Sequence, residues 1–104
     1  MIKLYLVKDQ NGFLALYEGF EKGNLVTIHT RKGTKTFDIN SVLEYKNETN
    51  KELYKILDTE DTRDFSKSLI NMVFSGAENE NGFIVLDTCD GELLYKANEV
   101  KRVR

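Results

Sequence analysis

Hydrophobic and polar positions alternate with period two in "LVTIHTRKGTKTFDIN", residues 25–40. Folding this stretch back on itself about Lys32-Gly33 puts Val26, Ile28, Phe37 and Ile39 on one face. Thr27, His29, Arg31, Thr34, Thr36 and Asp38 fall on the other, with His29 opposite Thr36. One apolar and one polar face predict an antiparallel strand pair half covered by a core. Glycine at the bend supplies the positive φ that a two-residue hairpin turn needs.

The same pattern returns in "FIVLDTCDGELLYKAN", residues 83–98. Segments 24–45 and 82–103 align without a gap: Thr30 with Thr88, Gly33 with Gly91, Asn40 with Asn98, Val42 with Val100. A turn about Asp90-Gly91 puts Ile84, Leu86, Tyr95 and Ala97 on the core face. Its opposite face, with Phe83, Val85 and Leu94, is greasier and expected to be partly covered. Each copy ends in Asn-x-Val. Asparagine tolerates left-handed backbone and suits a corner, after which the valine re-enters the core on a short closing strand. This local grammar resembles that of small SH3-like barrels.

A third hairpin opens the chain, "IKLYLVK" and "FLALYE" about Asn11-Gly12. Pairing Gln10 with Phe13 places Leu4, Leu6, Ala15 and Tyr17 on one face and Tyr5, Val7, Leu14 and Leu16 on the other. Both faces are apolar, so the hairpin is either sandwiched inside the fold or open to a partner. That partner includes a second copy of the chain, a homodimer through residues 2–18. The expectation is the sandwich.

The middle reads as helical. Thr49-Asn50-Lys51-Glu52 has capping-box spacing before a stripe of Leu53, Ile56 and Leu57, predicting a helix over 49–58. A second is predicted over 61–75, with Phe65, Leu69, Met72 and Val73 as its stripe and Gly76 as its C-terminal stop. The fold class expected is α+β, mostly β. It has about eight short antiparallel strands in three hairpins, as a small SH3-like barrel or two packed sheets, with two inserted helices.

With 104 residues, length predicts a single domain over 1–104, large enough for one core without staples. No apolar run reaches the ~18 residues of a membrane span, and "MIKLYLVKDQ" is wrongly flanked for a signal peptide, so no membrane partner is expected. A lone cysteine, Cys89, closes no internal disulfide and fits a reducing cytoplasm. The net charge of −2 gives no global attraction to nucleic acid. Its distribution is uneven: residues 51–92 carry ten acids and four bases, residues 93–104 one acid and four bases.

Motifs for chemistry are sparse. His29, the single histidine, sits among threonines on the polar face and is a candidate base or ligand contact. Cys89 lies among Asp87, Asp90 and Glu92, which oppose a thiolate. One histidine and one cysteine fall short of a structural zinc site. "DTEDTRD", residues 58–64, lacks the glycine and glutamate of a calcium loop and reads as a helix start favoured by the dipole. No cofactor, metal or catalytic set is predicted, and no enzyme.

Three functions are compatible with these features. The first is a small non-enzymatic binding protein acting through protein contact, as inhibitor, adaptor or regulator. Its candidate contacts are Asp58, Glu60, Asp61 and Asp64 with Tyr5, Leu14 and Leu16. The Lys, Asn, Glu and Ile bias suggests an AT-rich genome, a setting that fits a phage or mobile-element anti-defence protein such as an anti-CRISPR. The second is a nucleic-acid-binding small β-barrel using Arg31, Lys32, Lys35, Lys96, Lys101, Arg102 and Arg104. Its weakness is the missing exposed aromatics, since Phe37 and Tyr95 point inward. The third is an enzyme or small-ligand binder using the His29 face.

Overall fold

The computed structural model describes residues 2–8, 12, 14–46 and 51–103. Its strands are β1 (Ile2–Lys8), β2 (Leu14–Lys22), β3 (Leu25–Thr30), β4 (Gly33–Asp38) and β5 (Leu43–Tyr45), then β6 (Glu52–Ile56), β7 (Val73–Glu78), β8 (Ile84–Thr88), β9 (Gly91–Tyr95) and β10 (Val100–Val103). They form two five-stranded antiparallel sheets, ordered β4-β3-β2-β1-β5 and β9-β8-β7-β6-β10. These are one order used twice. In each, a four-strand meander is followed by a 3₁₀ turn, Ile39–Ser41 or Ala97–Glu99, and a fifth strand returns beside the first.

The repeat therefore spans the whole chain, beyond the two segments legible as hairpins. Leu4-Tyr5 on β1 and Leu53-Tyr54 on β6 hold equivalent places, as do Gly19 on β2 and Gly76 on β7. Neither sheet closes: β4 and β5 remain edges of the first, β9 and β10 of the second. Of the two architectures expected, the fold is two packed sheets and not a barrel.

Both repeated hairpins turn at the glycines, with φ of 107° at Gly33 and 95° at Gly91. Each turn sits one residue earlier than the spacing suggested, so the register slips by two. Thr30 opposes Gly33 and Thr88 opposes Gly91, leaving Arg31-Lys32 and Cys89-Asp90 as the loops. A two-residue shift preserves which face each side chain takes. Val26, Ile28, Ile84, Leu86 and Tyr95 are accordingly buried, and Phe37 and Ile39 pack against them. Ala97 is the exception, exposed in its 3₁₀ turn. The asparagine corners are 3₁₀ turns, not left-handed backbone: Asp38 caps the first by accepting from Asn40 N at 2.9 Å.

The opening hairpin shifts by one residue, and that exchanges which β1 side chains share a face with those of β2. Val7 pairs with Ala15 and Tyr5 with Tyr17, so Tyr5, Val7, Ala15 and Tyr17 enter the main core. Leu4, Leu6, Leu14 and Leu16 take the other face. The Asn11 turn and the Gln10–Phe13 pairing lie outside the described residues.

Neither expected α-helix forms. Residues 52–56 are β6, whose alternation of Leu53 and Lys55 against Tyr54 and Ile56 satisfies a sheet on both faces. Glu52, expected to close a cap, instead accepts from the Tyr54 hydroxyl at 2.6 Å and pairs with Arg102. Thr49 and Asn50 lie outside the described residues. Over 61–75 only a 3₁₀ segment, Asp64–Leu69, is helical. The chain is extended from Val73, where aromatic and β-branched residues favour a strand. Gly76 is no helix stop. A Cβ there would collide with the Val85 carbonyl oxygen, so glycine lets β7 and β8 approach.

Two apolar clusters hold the sheets. The larger combines Tyr5, Tyr17, Val26 and Ile28 of the first sheet with Tyr54, Ile56, Leu86 and Tyr95 of the second. The smaller is a seam of Leu4, Leu16 and Tyr45 against Leu53, Val73 and Val103. Fully burying each such side chain is worth about 1.5–3 kcal/mol. Across the seam Lys55 Nζ meets Glu18 Oε1 at 2.7 Å, both largely covered. Asn71 makes a further link. Its backbone is left-handed (φ 67°) and its side-chain amide donates to the Thr30 carbonyl at 3.1 Å, while Met72 bridges to Tyr17 of β2.

Candidate functional site

Alternation along β1, β2, β3 and β5 sends every second residue away from the main core. On the first sheet those positions hold Ile2 opposite Phe20, Lys22 opposite Leu25, and Leu6 between Leu16 and Leu43. The second sheet covers the middle of this outer face, over Leu4 and Leu16, and leaves both flanks open. Among the described residues eight large hydrophobic side chains are exposed. Five of them, Ile2, Leu14, Phe20, Leu25 and Leu43, lie here, from 47% exposed at Phe20 to 67% at Ile2. The sandwich expected for the opening hairpin is thus half made. The equivalent outer face of the second sheet carries Phe83, half-buried Val85 and Leu94.

The contacts expected from sequence divide accordingly. Leu14 is exposed on the outer face and Leu16 half buried beside the seam. Tyr5 is buried, because the register shift turned it inward, and it is unavailable to a partner. Its hydroxyl points at Glu21 Oε2, 3.4 Å away. Burial, then the Glu21 charge, raises its pKa. Asp58, Glu60, Asp61 and Asp64 are exposed around the start of the 3₁₀ segment. Arg63 anchors that segment. It bonds Glu99 at 3.0 Å and the Leu94 carbonyl at 2.6 Å, and its guanidinium lies 4.5 Å from the Phe65 ring centre and 5.3 Å from that of Tyr95. A groove of about 590 Å³ runs beside it, lined by Asp61, Phe83, Leu94, Lys96 and Asn98.

The basic candidates do not assemble into one surface. Arg31, Lys32 and Lys35 gather at one end of the first sheet and are joined by Lys8, which sequence reasoning missed. They rim a cavity of about 190 Å³ floored by Val7, Ala15, Tyr17 and Phe37. Phe37 points inward as expected and yet lines this opening. Lys96 lies in the other groove, and Lys101 and Arg102 are on β10, where Arg102 pairs with Glu52. Arg104 lies outside the described residues. The signal for Lys8 was available: the first strand ends in a lysine that the hairpin returns toward the Arg31-Lys32 loop.

His29 is exposed opposite Thr34, not Thr36, with Nδ1 3.1 Å from Thr34 Oγ1. Cys89 is exposed in the β8–β9 turn, and Glu92 opposes Asp87. Among the described residues no three His, Cys, Asp or Glu side chains converge as a metal site, and no helix is long and apolar enough to cross a membrane. Compared with models of protein families, with curated proteins and with solved structures, the chain matches none.

Proposed function

We propose that this chain is a small protein-binding module that acts by surface contact, as an inhibitor, adaptor or regulator. Its contact surface is the outer face of the first sheet. The observation that carries the reading is that five of the eight exposed large hydrophobic side chains among the described residues, Ile2, Leu14, Phe20, Leu25 and Leu43, lie on this one face. Small monomeric proteins rarely leave such a set in water unless something docks there. The seam cluster and the Lys55–Glu18 pair hold the surface in shape beforehand, which lowers the ordering cost of binding. In the phage or mobile-element setting suggested by composition, host defence nucleases are the first partners to test.

The test compares the full chain with a Phe20→Glu/Leu25→Glu variant and with Leu94→Glu as a control on the other sheet. The reading expects a stoichiometric protein complex that the double variant loses and the control keeps. A complex that survives the double variant overturns this surface. Light scattering of the free chain separates the self-association alternative, since a dimer abolished by the same variant would reassign the face to a second copy.

A further inference from the structure

The two halves of the chain share one design, so each serves as an internal reference for the other, and they differ sharply at one end. In the second sheet, Ile56 accompanies Met72, Tyr95 opposes Ile84 and Leu93 opposes Leu86. The long connection from β6 to β7 folds over this end and fills it. Leu69 is buried there, Ser66 Oγ donates to the Tyr95 hydroxyl at 2.9 Å, and Phe65 lies against the Tyr95 ring at 6.3 Å.

The first sheet keeps the frame and changes the filling. Val7 opposes Ala15, Phe37 opposes Val26, and Lys35 opposes Ile28. The connection from β1 to β2 is only residues 9–13, and the corresponding end holds the cavity of about 190 Å³. Three rim positions switch in one direction. Lys8 stands where the second half has Leu57, Lys32 where it has Asp90, and Lys35 where it has Leu93. In a chain of net charge −2, three lysines at one mouth repel one another. Among the described residues no carboxylate lies within ion-pair distance of them. An anionic group seated among them would remove that repulsion.

We propose that this end of the first sheet binds one nucleotide unit, its phosphate held by Lys8, Lys32 and Lys35 and its base against Phe37 and Tyr17. The ligand class follows from size and lining. The cavity is smaller than the ~300–1,000 Å³ that encloses a drug-sized molecule, so it takes a single ring or phosphate and leaves the rest outside. Aromatic side chains beneath a basic rim are the combination that receives a base while tracking its backbone. Arg31 adds positive potential, although its guanidinium also reaches back to the Ser68 carbonyl at 3.3 Å.

The test titrates the full chain with thymidine monophosphate, with a single-stranded oligothymidine of about eight nucleotides, and with inorganic phosphate. Calorimetry and amide chemical shifts give the readout. Saturable binding of either nucleotide probe is expected, with shifts at Lys8, Thr30–Lys35 and Phe37. Lys32→Glu/Lys35→Glu, both exposed and harmless to the core, should weaken it at least tenfold, and Lys101→Glu should not. Phe37→Leu, which keeps the packing and removes the ring, should weaken it several-fold. One phosphate neutralised on a single strand predicts a slope of log K on log salt of about −0.7. Preference for the oligomer assigns the unit to a strand, and equal affinity assigns it to the free nucleotide. Inorganic phosphate binding as tightly as both, both probes silent, or affinity unchanged in Lys32→Glu/Lys35→Glu overturns the proposal. So does a poly-glutamate peptide that binds where both nucleotide probes fail.

Discussion

Thr30 and Thr88 make the same two hydrogen bonds in two different sheets. Each hydroxyl donates to the carbonyl of the glycine three residues on, at 2.7 Å to Gly33 and 2.7 Å to Gly91. Each accepts from the backbone N–H two residues on, at 3.2 Å from Lys32 and 3.1 Å from Asp90. Both threonines are buried, and removing the hydroxyl takes a partner from two backbone groups of each exposed turn. Thr30→Val and Thr88→Val should each cost about 1–3 kcal/mol in urea unfolding. Gly33→Ala and Gly91→Ala, which meet open space but a positive φ, should cost about 1–2 kcal/mol each. Closely matched losses in the two halves are expected, and a silent threonine would show that its turn is held by something else.

Gly19 and Gly76 are equivalent but should not be equally sensitive. A methyl at Gly19 would sit 2.7 Å from the ring of Tyr5, a buried side chain and not backbone, and should cost about 1–3 kcal/mol. At Gly76 it would meet the Val85 carbonyl oxygen, part of the neighbouring strand itself. Gly76→Ala should therefore be the more damaging, with loss of β7–β8 amide protection in hydrogen exchange. The reverse ranking would contradict the assigned approach of these strands.

The Glu18–Lys55 pair crosses the seam with side chains 13% and 18% exposed, too covered to be dismissed as a surface pair. A double-mutant cycle of Glu18→Gln and Lys55→Met should return a coupling on the order of 1 kcal/mol. The double variant should recover part of either single loss, because a lone charge at the seam is worse than none. Zero coupling would mean that the apolar seam alone fixes the sheets.

Alkaline pH should loosen the fold through its tyrosines. Burial and the Glu21 charge raise Tyr5. The hydrogen bond to Glu52, then burial, raises Tyr54. Burial raises Tyr95, partly offset by Ser66 and Arg63. All three move up from an ordinary value of 10.0. A raised folded-state pKa means the folded chain holds more protons than the unfolded one above that value. The contribution is therefore complete below about pH 10 and is lost as pH climbs through the folded-state pKa values. Thermal melts from neutral to alkaline pH should show this fall. In a phenolate absorbance titration Glu52→Gln should bring the Tyr54 step earlier.

How much was legible depended on whether a residue's partner lay close in the chain. Val26, Ile28 and Phe37 were assigned to the core because a strand pair closed by a short turn fixes which side chains share a face. A slip of two residues leaves that answer intact, and Gly33 and Gly91 mark the bends. The opening hairpin slipped by one residue, and one residue is enough to put Tyr5 in the main core and Leu4 on the opposite face, in the seam. Period alone misread 49–58 and 61–75 as two helices. Leu69, Ile70, Met72, Val73 and Phe74 satisfy a helical stripe and a buried strand equally well. The outcome was decided by β6 lying between β7 and β10, neighbours the local pattern cannot name.

Two matched hairpins, their buried faces and the positive-φ glycines could be read along the chain, because contacts a few residues apart set them. That one sheet design is used twice along the chain emerged only from the folded arrangement. The second copy begins with strand β6, paired to a strand more than forty residues away, and long-range pairing of that kind depends on register and burial that no local window contains. The same holds for the basic cavity. Lys8, Lys32 and Lys35 lie on separate strands and a turn, and they meet because β1, β3 and β4 end together at one edge of the first core.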